Sequence, residues 1–345
     1  MNRSRPQYPG FDVAKLLAAL LVMLRHAVQW QFRPGSAEYE IVYCWLSNLA
    51  VPVFFAISGF LLFSKAERPR LLPFRTLAKY VARLFLLYLI WSAVYFPFSW
   101  YAYSINPLQT LPDFLRQYVR NFFLTSNVIQ LWYLPGLIVA CALVFALVKC
   151  YIPSGVVLLA SFGVYAFGSW MGYTSMQGSM PGWALDFVDG YFPVFETTRN
   201  GFFYGFFFVA LGAALSRVKL RALKWPALAG FAASVAGMYF EVRAYGENDM
   251  VLCAAPAVAC LFLFLRNIEG RPRAVFPEMR ALSGWIYFLH AAPLYAFTML
   301  EKEGSLVFIA RWPAVWIVLA LGLTLSAFFW AVSHAKPLGW LNRLI

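Results

Sequence analysis

Four ionisable side chains, Asp12, Lys15, Arg25 and His26, stand inside the otherwise apolar run FDVAKLLAALLVMLRHAVQ at residues 11–29. An imidazole exchanges a proton near neutral pH, and an ionisable group inside a membrane span is costly enough to imply a task or a partner. Lys15 and His26 are eleven positions apart, close to three helical turns. They therefore return to within about 20° of one face, with His26 about 16 Å farther along the axis. Asp12, three residues before Lys15, can pair with it and lower the cost of a cation there. The plain alternatives are that Lys15 snorkels to the inner headgroups and Arg25 to the outer ones, and that His26 is a satisfied core imidazole.

The elements that must position these groups follow from composition. Of 345 residues, 62% are hydrophobic and 12% charged, against about 25% charged in ordinary soluble domains. Apolar windows recur at about 11–31, 41–64, 76–97, 129–149, 154–172, 201–216, 226–243, 249–266, 282–299 and 313–334. The expectation is a single all-α integral membrane domain over residues 1–345, with about ten transmembrane helices. The first run is too long and too charged for a cleaved signal peptide.

A net charge of +13 could point to nucleic acid, but its distribution points to topology. Arg3 and Arg5, KAERPRLLPFR, SRVKLRALKW, RNIEGRPRAVFPEMR and the tail KPLGWLNRLI all fall on one side of a ten-span arrangement. Glu38, Asp113, Asp186, Glu196, Glu241 and Asp249 fall on the other. The positive-inside rule then places both termini in the cytoplasm, with membrane lipids and no nucleic acid as partners. The five cysteines show no metal-ligand or CxxC spacing and read as small core residues, so no metal is expected. Two long outer segments, residues 97–127 and 172–200, are rich in aromatic residues, Gly and Pro. They either lie at headgroup depth or line a substrate cleft.

FDVAKLLAALLVMLRH resembles the opening of the acyltransferase family 3 proteins, whose first helix carries a basic residue, ten intervening residues and a His. VPVFFAISGFLLF, KYVARLFLLYLIW, QLWYLPGLIVA, TTRNGFFYGFFFVALGAAL and LSGWIYFLHAAPLY are similar, in order, to further segments of that family. The chain departs from it by carrying Lys15 where Arg is commoner. At the entrance of the third span Tyr80 and Arg83 align with an RxxR pair, so only Arg83 matches and Lys79 substitutes. No SGNH-type domain follows the tenth span, which resembles the stand-alone branch.

The resemblance implies an acyl-CoA dependent O-acyltransferase of the bacterial inner membrane. It would move an acetyl or other short acyl group from cytosolic acetyl-CoA to a hydroxyl of a cell-envelope glycan or lipid-linked sugar. His26 would be the general base and Asp12 a second catalytic residue, and Lys15, Lys79 and Arg83 would meet the CoA phosphates. Arg199, Asn200, Trp132, Tyr133, Tyr287 and His290 would bind the acceptor, with His290 alternatively orienting His26. Trp132, Tyr133 and Pro135 would form a kinked aromatic wall, and Ser58 and Gly59 a close-packing feature. The rival expectation is a multi-span transporter of a small polar solute such as an amino acid.

Overall fold

Prolines and charge patterning set the helix ends. A computed structural model describes residues 8–177, 181–216, 218, 223–268, 273–302 and 311–345; Arg3, Arg5, Arg217, Lys219, Arg221 and Arg271, used above for topology, lie outside them. Helix α1 spans Pro9–Gln31, with Pro9 in its first turn, where its missing N–H costs nothing. A continuous helical stretch follows at Tyr39–Phe63. It opens as a π-helical turn (Tyr39–Trp45) and a 3-10 turn (Leu46–Leu49) before α2, Ala50–Phe63. Then come α3 (Phe74–Ser104), α4 (Leu111–Leu124), α5 (Tyr133–Lys149), α6 (Ser154–Gln177), α7 (Gly182–Phe195), α8 (Phe206–Leu215), α9 (Lys224–Tyr245), α10 (Ala254–Arg266), α11 (Val275–Leu289), α12 (Ala291–Lys302) and α13 (Arg311–Ser333).

Every apolar window read from the sequence overlaps a helix, and no strand occurs among the described residues. Four helical stretches there are long and apolar enough to cross a membrane: Tyr39–Phe63, Phe74–Ser104, Ser154–Tyr173 and Arg311–Ser333. Three differences from the expected windows have local causes. The two long aromatic-rich segments hold helices of their own, α4 and α7. The window at 129–149 is not kinked at Pro135; α5 begins at Tyr133, which leaves Pro135 in a first turn where proline is tolerated. The window at 282–299 is two helices, because Pro293 has no N–H for Leu289 and its ring crowds that carbonyl, breaking the chain at His290.

Packing divides the chain into two compact units. The first takes the described residues of Met1–Ile57, Val218–Phe240 and Cys253–Ile345, and the second those of Ser58–Arg217 and Glu241–Leu252. In the first unit α1 packs along α11 and against α13. Ala19 and Met23 of α1 bury against Ile286 of α11, flanked by Leu16, Leu20 and Leu282. A Cβ on Gly322 of α13 would lie 2.7 Å from Met23 Cε and 3.6 Å from His290 Cα, so α13 packs closely here and a side chain would displace the flexible Met23 tip.

Asp12 ties the same two helices at one end. Arg280 Nε and a terminal guanidinium nitrogen donate to its two carboxylate oxygens at 2.8 and 2.9 Å. The sequence pairs Asp12 with Lys15; the carboxylate is instead engaged by Arg280, while Lys15, half-buried, stays within electrostatic reach of both. The second unit is held mainly by α5, α6 and α8. Tyr165 stacks on Phe207 with ring centroids 5.5 Å apart, and Ser58 shares a hydrogen bond with Tyr133 at 2.9 Å. Gly59 lies directly against the Val209 backbone, the close packing expected of the ISGF segment.

Arg280 is half-exposed and Asp12 is buried, so the pair is worth less than a fully desolvated one. Asp12→Ala and Arg280→Ala should each lower unfolding stability by about 1–2 kcal/mol, and the double variant by little more than either. Denaturant titration in nanodiscs measures this, and simple additivity of the two losses would show that the bonds do not couple the helices.

Candidate active site

His26 reaches its position through α1, and His290 through the break that Pro293 imposes after α11. Both are buried, 6% and 2% exposed, and their rings lie parallel, 8° apart in tilt with centroids separated by 5.5 Å. His290 Nδ1 lies 2.8 Å from the Ile286 carbonyl oxygen, which can only accept, so Nδ1 carries the proton. Nε2 then presents a lone pair, and among the described residues this buried nitrogen has no hydrogen-bond partner. Two imidazoles, one of fixed tautomer, thus lie side by side in the buried interior of the first unit.

Arg25 corrects the sequence reading. It does not reach toward headgroups; it is 7% exposed, and its guanidinium donates to Tyr43 O, Ser47 Oγ and Asn48 Oδ1 at 3.2, 3.2 and 2.9 Å. It also lies 3.8 Å from the Tyr43 ring centroid. The change from π to 3-10 geometry between residues 39 and 49 interrupts the regular ladder and turns polar groups toward this cation. The anchor fixes the rotation of α1, and His26, about 100° around the helix from Arg25, faces α11.

The other expected residues separate by unit. Asp12 and Lys15 share the Arg280 end of α1, where two cations surround one carboxylate. Asp12 is about 21 Å along the axis from His26, too far to touch it. Tyr287 is half-buried and lies against Phe54 and Phe288. Ser283 donates to the Arg280 carbonyl oxygen rather than to His290. His334 is exposed and pairs with Glu278 at 2.9 Å.

In the second unit Lys79 and Arg83 are exposed, four residues apart on one face of α3. Trp132, just before α5, carries the Arg199 guanidinium 5.1 Å from its ring centroid, and Arg199 pairs with Asp249 at 3.1 Å. Tyr133 faces Ser58. Asn200 departs from its expected role, because its amide caps the turn that begins at Gly201. Its Oδ1 accepts from Phe202 N and Phe203 N at 2.9 and 3.0 Å, while Nδ2 donates to Tyr191 Oη and Thr197 O. Burial pushes the Tyr191 phenol up to about 12, so it meets Asn200 as a neutral hydroxyl.

Sequence reasoning missed Arg280 and the anchoring role of Arg25. In the sequence Arg280 stands in a basic loop that reads as a topology signal, and nothing in a single chain marks which loop cation folds back onto a helix carboxylate. Arg25 carried a signal in the polar pair Ser47 and Asn48 within an apolar run, which needed a donor.

No solved structure matches the chain. It is 25% identical over 313 residues to a protein named serine/alanine racemase from Enterococcus gallinarum, covering 86% of this chain and 42% of that protein. It is 27% identical over 299 residues to an amino-acid racemase of Enterococcus faecalis, covering 81% and 40%. The chain thus spans about two-fifths of the length of these relatives. The acyltransferase family 3 model, described as an acyltransferase domain, matches residues 8–331 and so includes both stacked histidines, the Asp12–Arg280 pair and the Arg199 region. The chain belongs to acyltransferase family 3 and is a membrane protein.

Proposed function

We propose that the chain moves an acetyl or other short acyl group from cytosolic acyl-CoA to a hydroxyl of an envelope glycan or lipid-linked sugar, with His26 as general base. The observation that carries the reading is the buried, parallel pair His26 and His290 in a family 3 chain. The acceptor oxygen attacks the thioester carbonyl carbon while the His26 imidazole takes the hydroxyl proton. The C–S bond then breaks, and the departing thiolate takes that proton back from the imidazolium as CoA leaves. His290 Nε2 accepts a hydrogen bond from a second hydroxyl of the acceptor and so orients the attacking one toward His26.

The topology proposed with this chemistry has about ten spans, cytoplasmic termini and a bacterial inner-membrane location. Helix directions support it. Asp12 meets Arg280 and His26 meets His290, so α1 and α11 run parallel, as the first and ninth of ten spans must. Trp330 and His334, at the far end of α13, meet Glu278 at the start of α11, so those helices are antiparallel. Leu111, Leu115, Val119 and Phe123 are exposed at four-residue spacing along α4, as befits a helix lying in the outer interface. For the polyanionic donor, Lys79 and Arg83 continue the exposed cations Lys65, Arg68, Arg70 and Arg75, and Lys15 beside Arg280 offers a second surplus of positive charge.

A second reading is a transporter of a small polar solute, favoured by the relatives whose names describe amino-acid racemases. Uptake of labelled serine into proteoliposomes without CoA would establish it in place of acyl transfer.

With labelled acetyl-CoA, His26→Ala should lower turnover by about a hundredfold or more while leaving donor affinity nearly unchanged. Lys15→Ala and Arg83→Ala, each tested alone, should weaken CoA binding by about 1–3 kcal/mol. Titration calorimetry beside turnover assays measures both, and loss of CoA binding in folded His26→Ala protein would move His26 from base to donor contact. The protein has three histidines, so selective 15N labelling can resolve them. His290 should show a protonated Nδ1 and an imine-like Nε2, and the opposite tautomer would remove its role as hydrogen-bond acceptor.

A further inference from the structure

In the second unit a cleft of about 450 Å³ opens between the end of α7, the turn before α5 and residues 248–249. That is within the range of small-molecule sites. Three charged side chains line it, Glu196, Arg199 and Asp249, and each is already paired. Arg199 meets Asp249 at 3.1 Å, and Glu196 meets Arg120 at 3.2 Å. With Arg120 behind Glu196 counted, the two pairs cancel, and the wall offers many donors and acceptors, an arrangement that suits hydroxyl groups and penalises an uncompensated anion. Thr197, Thr198 and Asn248 add further neutral polar groups, and the Trp132 indole supplies an apolar surface. The Arg199 Nε is buried and lacks a hydrogen-bond partner among the described residues.

The backbone singles out the same place. Ser126 and Glu196 have φ of 85° and 59°, two of the three non-glycine residues with positive φ among those described, and both line this cleft. Left-handed backbone at residues other than glycine persists where surrounding contacts hold it, and such positions cluster at ligand sites. Here the contacts are visible. Arg120 donates to the Pro193 and Val194 carbonyl oxygens at 2.6 and 2.7 Å, closing the end of α7, and the Glu196 N–H donates to Phe192 O at 2.8 Å. Asn248 is held by donating to Ser169 O at 2.9 Å. A second cavity of about 230 Å³, lined mainly by aromatic and aliphatic residues, shares Thr125, Trp132, Thr197 and Arg199 with the first.

We infer that this cleft binds a neutral sugar ring carrying an apolar substituent, the ring among the paired charges and the substituent in the adjoining cavity. Naming this ligand as the acyl acceptor rests on the acyltransferase reading; the binding itself does not. The test is titration calorimetry of the full chain in nanodiscs free of glycoside detergent. The probes are phenyl β-D-glucopyranoside, methyl β-D-glucopyranoside, phenyl β-D-glucuronide and L-serine. The phenyl glucoside should bind most tightly, at least tenfold above the methyl glucoside and the glucuronide. Asp249→Asn leaves Arg199 uncompensated with little change of shape, and should reverse the preference so that the glucuronide binds at least tenfold better than it does to the unaltered protein. Glu196→Gln, which frees Arg120, should shift it the same way. Failure of the unaltered protein to bind phenyl glucoside, a preference for the glucuronide or for serine, or an unchanged preference in both folded variants would each overturn the assignment. Acyl transfer is not read in this experiment, so an inactive protein that binds the glucoside upholds the site while removing the enzyme, and an active one that does not bind it does the reverse.

Discussion

The ion pair between Asp12 and Arg280 is the constraint on which the first unit turns. Two charge-assisted bonds at 2.8 and 2.9 Å fix one point of contact between α1 and α11. Once that point is set, rise per residue decides what meets farther on. Fourteen residues along α1 lead to His26 and ten along α11 lead to His290, a difference of about 6 Å that a long arginine arm can span. A slip of either helix by one turn would separate the imidazoles. The apolar contacts of Ala19 and Met23 with Ile286 hold the same register but carry less directional information.

Rotation about the helix axis is a separate variable, and Arg25 sets it. Burying a guanidinium among Tyr43, Ser47 and Asn48 is tolerable only while those partners satisfy it, so α1 cannot turn without leaving a charge stranded. With register and rotation fixed, the approach of α13 at Gly322 closes the space beside His290. The imidazole pair is therefore the product of two ionic anchors and the close packing of α13.

The second unit uses charge differently. Arg120 closes the end of α7 and pairs with Glu196, while Arg199 lies between Trp132 and Asp249. These pairs cancel in net charge, leaving a polar wall. Lys79 and Arg83 are exposed on α3, so one unit carries both a neutral cleft and a basic face. That contrast suits two chemically different ligands, one hydroxylated and one polyanionic.

Hydrophobic windows alone located nearly every helix, because burial of about 20 apolar residues in lipid is a local property of the chain. The same arithmetic identified His26 and Lys15 as one stripe, since helical periodicity needs no tertiary information. What the chain could not decide locally was partner choice. Asp12 had Lys15 three residues away, yet Arg280, distant in sequence, supplies a planar fork that matches a carboxylate, which an ammonium cannot. Arg25 had solvent-ward reach in the sequence and found Asn48 instead. Asn200 read as a ligand for hydroxyls and became a helix cap because the backbone N–H groups of Phe202 and Phe203 turned toward it. Local energetics wrote the helices into the sequence; which ionic group meets which is a long-range pairing, and only the packed structure decided it.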